Sequence, residues 1–280
     1  SSSYDFEHCS WSNLPEDDFV LQDDNPWVLG EFVWTGFDYL GEPTPYDEYW
    51  PSRSSYFGIS DLAGLPKDRY YLYRSKWNTN DETLHILPHW NWVGREGEIT
   101  PVFVYTNYNS AELFLNGKSL GIQYKNDNSP QHRYRLMWMD VPYEPGTLKV
   151  VALDEEGNPA AEKEMRTAGT PYQIVLKPDR SVITADGEDL SFVEVAVADK
   201  DGIPCPTATN TLNFEVSGAG TFKAACNGDA TSLEPFHIPQ MQLFSGKLVV
   251  IVESTDQPGE IELQVSGIGL ESGKILITSN

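Results

Sequence analysis

Cysteine is scarce in this sequence, which contains only Cys9, Cys205 and Cys226. Their spacing fits neither a zinc site nor the disulfide framework of a small secreted domain. Two buried thiols are the favoured interpretation of the last pair, and a Cys205–Cys226 disulfide is the alternative. No metal or other cofactor is predicted.

Long apolar runs are also missing. No stretch approaches the ~20 apolar residues that a membrane-spanning helix needs, so membrane insertion is not expected. The sequence opens without a basic segment followed by an apolar one, and Ser1 is not an initiator methionine. We therefore expect the chain to begin within a longer protein or after processing.

Positive charge is in short supply. Lys and Arg number 19 against 42 Asp and Glu, a formal net charge of −23. A field of this sign repels phosphate backbones, so nucleic acid is excluded as a partner. A neutral sugar is indifferent to it, and most of these carboxylates serve ordinary solvation.

The first 77 residues predict the end of a series of alternating strands and helices. A short helix is expected over residues 15–23, a buried strand over 27–34, a long loop over 35–64 and a helix from Pro66 to about Trp77. A complete (β/α)8 barrel takes about 250 residues. Residues 1–77 therefore predict the C-terminal segment of such a barrel.

The remainder predicts two consecutive Ig-like β-sandwiches, residues 78–168 and 169–280. Short β-branched runs alternate with turns, among them residues 99–106, 133–139, 147–153 and 190–198. Asn116-Gly117 predicts a type I′ hairpin turn, and Gly169-Thr170-Pro171 marks the seam. Residues 227–244 form a longer, less regular insertion. The predicted fold is mostly β: the last βα unit of a barrel followed by two sandwiches.

The strongest candidate for a functional residue is Trp34. A barrel displays ligand-contacting side chains at the C-terminal ends of its strands. An indole there covers the C–H face of a sugar ring, and the carboxylates of Asp38 and Glu42 accept hydrogen bonds from hydroxyls. The alternatives are a Trp packed under a loop and an Asp38 that caps a turn. Asp38 and Glu42 as a glycosidase pair, about 5–5.5 Å apart, is a weaker hypothesis.

A second candidate segment lies at the entry to the first sandwich. His89 and Trp92 could line a leaving-group subsite, or the segment could be a wedge between domains. His85 and His89 lack a third metal ligand. Further along, Asp199-Lys200-Asp201-Gly202 lacks the distal Glu of a calcium loop and predicts a turn, as does Asn227-Gly228-Asp229. Several aromatic residues crowd the long loop and suit either a sugar-binding lid or a local core: Tyr46, Tyr49, Trp50, Tyr56 and Phe57.

Two runs are specific enough to indicate a family. Residues 30–46 read Gly30-Glu31-Phe32-Val33-Trp34-Thr35-Gly36-Phe37-Asp38-Tyr39-Leu40-Gly41-Glu42-Pro43-Thr44-Pro45-Tyr46. Residues 54–68 read Ser54-Ser55-Tyr56-Phe57-Gly58-Ile59-Ser60-Asp61-Leu62-Ala63-Gly64-Leu65-Pro66-Lys67-Asp68. Together they strongly resemble the strand-8 region of glycoside hydrolase family 2 β-galactosidases of the Bacteroidetes type. His89-Trp90-Asn91-Trp92 and residues 112–121 and 145–150 resemble the sandwich that follows that barrel.

The resemblance implies a retaining exo-glycosidase acting on oligo- or polysaccharides. Its two catalytic Glu residues would precede Ser1, because the opening run Ser1–Asp5 resembles the stretch after the nucleophile. No catalytic residue is therefore expected in this chain, and the upstream barrel is an expected partner. Trp34 would floor the sugar site and be followed by a cis peptide bond. The resemblance also implies a periplasmic or extracellular bacterial location. The rival interpretation is a non-catalytic carbohydrate-binding or structural protein.

Overall fold

The structure is a computed structural model and describes residues 8–280. The resemblance noted for Ser1–Asp5 lies outside the described residues. The chain divides into two units. The first unit comprises the described residues up to Gly36 together with Pro66–Thr167, and the second comprises Phe37–Leu65 together with Ala168–Asn280. The long loop thus groups with the C-terminal residues, whereas the three-domain division remains a prediction.

The first unit contains three helices: α1 (Pro15–Asp24), α2 (Asp68–Trp77) and α3 (Pro130–Tyr134). As predicted, α1 begins at a proline and carries an acidic first turn, which suits the positive end of the helix dipole. The predicted start of α2 at Pro66 is wrong by two residues. Lys67 is extended, with φ −83° and ψ 168°, and precedes the first helical residue.

The predicted buried strand over residues 27–34 does not form. The segment has no regular secondary structure, and among residues 8–280 no strand pairs with it. Leu29 and Phe32 are fully exposed, and Trp27 is 77% exposed. A parallel strand needs hydrogen-bonding neighbours on its edges, and the described residues supply none.

The first unit's strands form two antiparallel sheets, as an Ig-like sandwich requires. The sheet orders are β1-β2-β5 and β4-β3-β6-β7. Buried side chains from both sheets, among them Val104, Leu113 and Val150, form one core together with Trp90 from the β1–β2 connection. The strands are β1 (Leu84–Leu87), β2 (Val102–Thr106), β3 (Ser110–Leu115), β4 (Lys118–Tyr124), β5 (Leu136–Trp138), β6 (Thr147–Leu153) and β7 (Pro159–Arg166).

The β3–β4 turn and helix α3 lie where the sequence predicted a hairpin turn and a strand, respectively. Asn116 and Gly117 have φ of 50° and 80° between β3 and β4, in keeping with the predicted I′ turn. The predicted strand over residues 133–139 is partly wrong, because its first two residues belong to α3. Ser129 starts that helix by accepting a hydrogen bond from the His132 N–H, and Pro130 follows it.

The second unit contains a second sandwich. Its sheet orders are β12-β14-β10-β8 and β13-β11-β15-β16-β9, and its core lies between them. The mostly β fold with two sandwiches is therefore confirmed. The strands are β8 (Gln173–Pro178), β9 (Val182–Ile183), β10 (Leu190–Ala198), β11 (Thr211–Gly218), β12 (Gly220–Cys226), β13 (Gln240–Gln242), β14 (Lys247–Ser254), β15 (Gly259–Gly267) and β16 (Gly273–Ser279).

Helix α1 is fastened to the first sandwich by a buried ion pair and an aromatic cluster. Glu16 and Arg135 are ion-paired, and both side chains are fully buried. Burial lowers the pKa of the Arg135 guanidinium to about 10. The ring of Phe19 packs edge-on against Tyr73 and Tyr134, with centroids 5.4 and 5.1 Å apart. These contacts hold α1, α2 and the sandwich as one unit.

Candidate functional site

Trp34 lies at the end of the segment of residues 27–34 in the first unit. Its side chain is 73% exposed, and its peptide bond to Thr35 is cis, as predicted. A large aromatic ring with most of its surface open can cover the apolar face of a sugar. The alternative of a Trp buried beneath a loop does not fit this exposure.

Asp38 lies in the second unit and is 6% exposed. Its Oδ1 accepts a hydrogen bond of 2.8 Å from the Gly58 N–H, and its own N–H donates to the Ser60 carbonyl at 3.0 Å. A Cβ built on Gly58 would lie 2.2 Å from the Asp38 nitrogen, so glycine is required for this close approach. This geometry favours the turn-capping interpretation of Asp38. Nothing in the sequence around Gly58 indicated that it donates to Asp38.

Glu42 is exposed and accepts a hydrogen bond from the Tyr39 hydroxyl. The aromatic residues that follow it form a small edge-to-face cluster, with Tyr46 contacting Tyr49 and Tyr56 at centroid distances of 6.1 and 4.9 Å. Trp50 is 76% exposed. The loop therefore has a local aromatic cluster and also presents aromatic surface.

The two histidines of the second candidate segment have separate environments in the first unit. His85 Nε2 lies 2.8 Å from Asp68 Oδ1, and its ring stacks on Tyr71 at 3.9 Å. His89 stacks instead on Trp92, with centroids 4.3 Å apart. The described residues contain no cluster of three or more potential metal ligands.

Trp92 is packed against other protein groups. Besides the His89 ring, the Arg95 guanidinium lies over the indole at 5.3 Å from its centroid, and the indole N–H donates to the His89 carbonyl at 2.7 Å. The neighbouring Trp90 is fully buried and donates to the Glu144 carbonyl. Trp92 is therefore a less open platform than Trp34, although the roles assigned to His89 and Trp92 stay predictions.

His89 provides a pH-dependent property. Burial lowers its pKa below the ordinary value of 6.5, and the Asp68 charge opposes this only partly. Its Nδ1 also accepts from the Asn91 N–H, which favours the neutral ring. Because the unfolded chain takes up the proton first, we expect the first unit to lose stability as pH falls below about 6.5.

Urea unfolding at pH 5 and pH 7 measures this effect. The His89→Gln variant should lose part of the difference in unfolding free energy between the two pH values. An NMR titration midpoint for His89 at or above 6.5 would contradict the proposed environment.

Asp199, the first residue of the calcium-like motif, accepts several backbone hydrogen bonds. Its carboxylate accepts backbone N–H groups from Gly169 at 2.7 Å and from Asp201 and Ile203 at 2.9 Å. These bonds, that from Gly169 foremost, lower its pKa. The motif is a turn, as predicted, and its hydrogen bonds fix the start of the second sandwich.

Cys205 and Cys226 are free thiols. None of the described helices is long and apolar enough to cross a membrane.

The chain is similar to solved structures of glycosidases. A β-glycosidase from Bacteroides vulgatus is 36% identical, with a TM-score of 0.85 over 94% of this chain and 32% of its own. A glycosyl hydrolase family 2 member from Bacteroides cellulosilyticus is 30% identical, with a TM-score of 0.85 over 95% of this chain and 38% of its own. The class that this fold defines is therefore a C-terminal β-sandwich region similar to that of solved glycosidases.

Sequence comparisons specify the family. Residues 174–276 match the model of glycoside hydrolase family 2 C-terminal domain 5, and residues 97–161 match a domain of unknown function, DUF4982. The β-galactosidase BoGH2A of Bacteroides ovatus is 46% identical over 99% of this chain and 32% of its own length. The chain belongs to glycoside hydrolase family 2 and corresponds to the C-terminal region of such a protein. It spans about a third of the length of these relatives.

Proposed function

We propose that this chain is the C-terminal portion of a retaining exo-β-glycosidase, similar to a β-galactosidase, that hydrolyses terminal β-linked sugars. Residues 1–77 would complete a TIM barrel, and residues 78–168 and 169–280 would be its accessory sandwiches. The observation that carries the proposal is the segment of residues 27–34, which has the composition of a strand but pairs with none of the described strands. Trp27, Leu29 and Phe32 are exposed, and no described strand forms hydrogen bonds with the backbone of this segment. Both features are expected of a barrel strand that is described without its neighbouring strands.

In the intact enzyme one Glu would attack the anomeric carbon while a second protonates the leaving oxygen. Both are expected in polypeptide upstream of Ser1. Trp34 would form the floor under the sugar, since its ring is open. Glu42 would accept hydroxyl hydrogen bonds, and the buried Asp38 would position the loop that carries it.

The surroundings follow from the same proposal. The substrate would be an oligo- or polysaccharide, and the protein partner would be the remaining barrel. His89 and Trp92 would lie towards the leaving group. A periplasmic or extracellular location rests on the resemblance to Bacteroidetes enzymes.

The proposal predicts that the 280-residue chain alone does not hydrolyse an aryl β-galactoside, whereas the intact enzyme does. The release of nitrophenol from a nitrophenyl β-galactoside, measured with each purified protein, gives both activities. Turnover by the chain alone, abolished by Asp38→Asn or Glu42→Gln, would place the reaction on those carboxylates and refute the assignment. Inactivity of the intact enzyme on every aryl β-glycoside would refute the proposed function itself.

A further inference from the structure

A turn at the end of β12, residues 226–230, leads into the irregular insertion of the second sandwich. Asn227 is 4% exposed and donates from Nδ2 to the Gln242 carbonyl at 2.8 Å. Asp229 Oδ1 accepts both the N–H and the hydroxyl of Thr231, at 2.8 and 2.6 Å. The turn is therefore held by its own hydrogen bonds and by the sandwich. We call residues 226–230 the docking turn.

The docking turn and Phe236 contact the Phe37–Leu65 loop within the second unit. The Arg53 N–H donates to the Ala230 carbonyl at 3.1 Å, and the Arg53 guanidinium lies 5.6 Å from the centroid of the Phe236 ring. The Cys226 thiol donates a hydrogen bond to the Leu62 carbonyl at 3.5 Å. These contacts hold the loop at two positions that are separated in sequence, Arg53 and Leu62.

Gly228 of the docking turn lies very close to the Asp61 side chain of the Phe37–Leu65 loop. A Cβ built on it would lie 2.1 Å from Asp61 Oδ2 and 2.6 Å from Asp61 Cγ. The Asp61 side chain is itself restrained, because Oδ1 accepts the N–H groups of Ala63 and Leu65, both at 2.9 Å. A larger residue at position 228 must therefore displace the loop or break the turn that Asp61 caps.

The gripped residues connect directly to the proposed sugar-binding end of the loop. The Arg53 carbonyl accepts from the Gly41 N–H at 2.9 Å, next to Glu42. Ser60, adjacent to Asp61, accepts from the Asp38 N–H, and Gly58 donates to the Asp38 carboxylate. Displacing Arg53 or Asp61 would thus shift both carboxylate-bearing residues.

We propose that the docking turn and Phe236 are positioning elements of the glycosidase site: the second sandwich fixes the Phe37–Leu65 loop and so sets how tightly the enzyme binds its sugar substrate. This inference rests on the proposed function, because it takes Glu42 as a substrate contact. The docking itself is independent of activity. Its test therefore has a structural arm and a kinetic arm.

The structural arm uses the 280-residue chain. Gly228→Ala perturbs the contact from the sandwich and Arg53→Ala from the loop, with Gly169→Ala and Arg180→Ala as matched controls in the same unit. Amide exchange at positions 38, 41 and 58 should become about tenfold faster in both test variants, while β10 and β14 keep their protection. Unchanged loop exchange in Arg53→Ala would overturn the proposal.

Cys226 supplies a second reading of the docked state. Burial, reinforced by the Asp61 charge, raises the pKa of its thiol to about 12, so alkylation by iodoacetamide at pH 8 should be slow. Gly228→Ala, which changes no charge near the thiol, should accelerate labelling of Cys226 but not of the buried Cys205. In an Asp61→Ala background, Gly228→Ala should add little to loop exchange. Strictly additive effects would contradict the direct contact.

The kinetic arm uses the intact enzyme. Arg53→Ala and Gly228→Ala should raise KM for an aryl β-galactoside about tenfold with kcat within about twofold, the pattern expected when substrate binding is weakened uniformly. Arg53→Lys should restore part of the loss. Faster loop exchange without a change in KM would overturn the positioning role. An inactive wild-type enzyme would instead refute the proposed function and leave the docking result standing.

Discussion

Replacing Trp34 by alanine should lower kcat/KM of the intact enzyme about 70-fold on an aryl β-galactoside. About 100 Å² of ring surface covering a sugar stabilises the complex by about 2.5 kcal/mol at ~25 cal/mol per Å², and about 1.4 kcal/mol is worth tenfold in rate. The side chain is 73% exposed, so the fold should tolerate the change. Aryl β-galactoside kinetics, with circular dichroism to monitor folding, measure the effect.

Two further variants make this result specific. Trp34→Phe keeps an aromatic face and should recover much of the lost activity. Tyr124→Ala removes a ring that is 60% exposed on β4 and should leave kcat/KM unchanged. Wild-type kinetics for Trp34→Ala would mean that the indole does not contact the sugar.

Arg135→Met should destabilise the first unit by about 3–5 kcal/mol, because it leaves the carboxylate of Glu16 buried without its cation. Both side chains are fully buried, and the guanidinium lies over the rings of Phe103 and Tyr105 at 5.4 and 5.3 Å. Guanidinium unfolding followed by tryptophan fluorescence is the appropriate measurement. Every tryptophan except Trp50 lies in the first unit.

The matched control is Arg166→Met, which breaks an exposed pair with Glu164 in the same unit and should cost at most about 1 kcal/mol. The double variant Glu16→Leu/Arg135→Met should be more stable than Arg135→Met, since apolar groups then replace both charges. A double variant that is less stable than either single variant would show that the ion pair stabilises α1 beyond its packing.

Local patterns predicted the sandwiches well. The apolar and β-branched runs over residues 147–153 and 190–198 placed β6 and β10 at their observed bounds. The Asn116-Gly117 turn follows from the positive φ that both residues tolerate. Such features depend on residues that are close in sequence, so one sequence is enough to predict them.

Long-range features were not predictable in the same way. The apolar run over residues 27–34 predicted a strand that the structure does not form, because strand formation also needs partners and the described residues provide none. Likewise, nothing near Gly58 indicates that its N–H donates to Asp38, twenty residues away. The contact of Gly228 with Asp61 joins residues still farther apart, so the insertion could be noticed but not given a role.

The order of segments in the second unit has a consequence for biosynthesis. Residues 37–65 leave the ribosome well before their structural partner, which begins at Ala168, roughly 100 residues later. At about 5–20 residues per second, translation takes about 5–20 s to deliver that partner. During this interval the nascent loop exposes its aromatic residues. Chaperone protection or a pause in elongation would therefore matter more for this stretch than for the self-contained hairpins of the first sandwich.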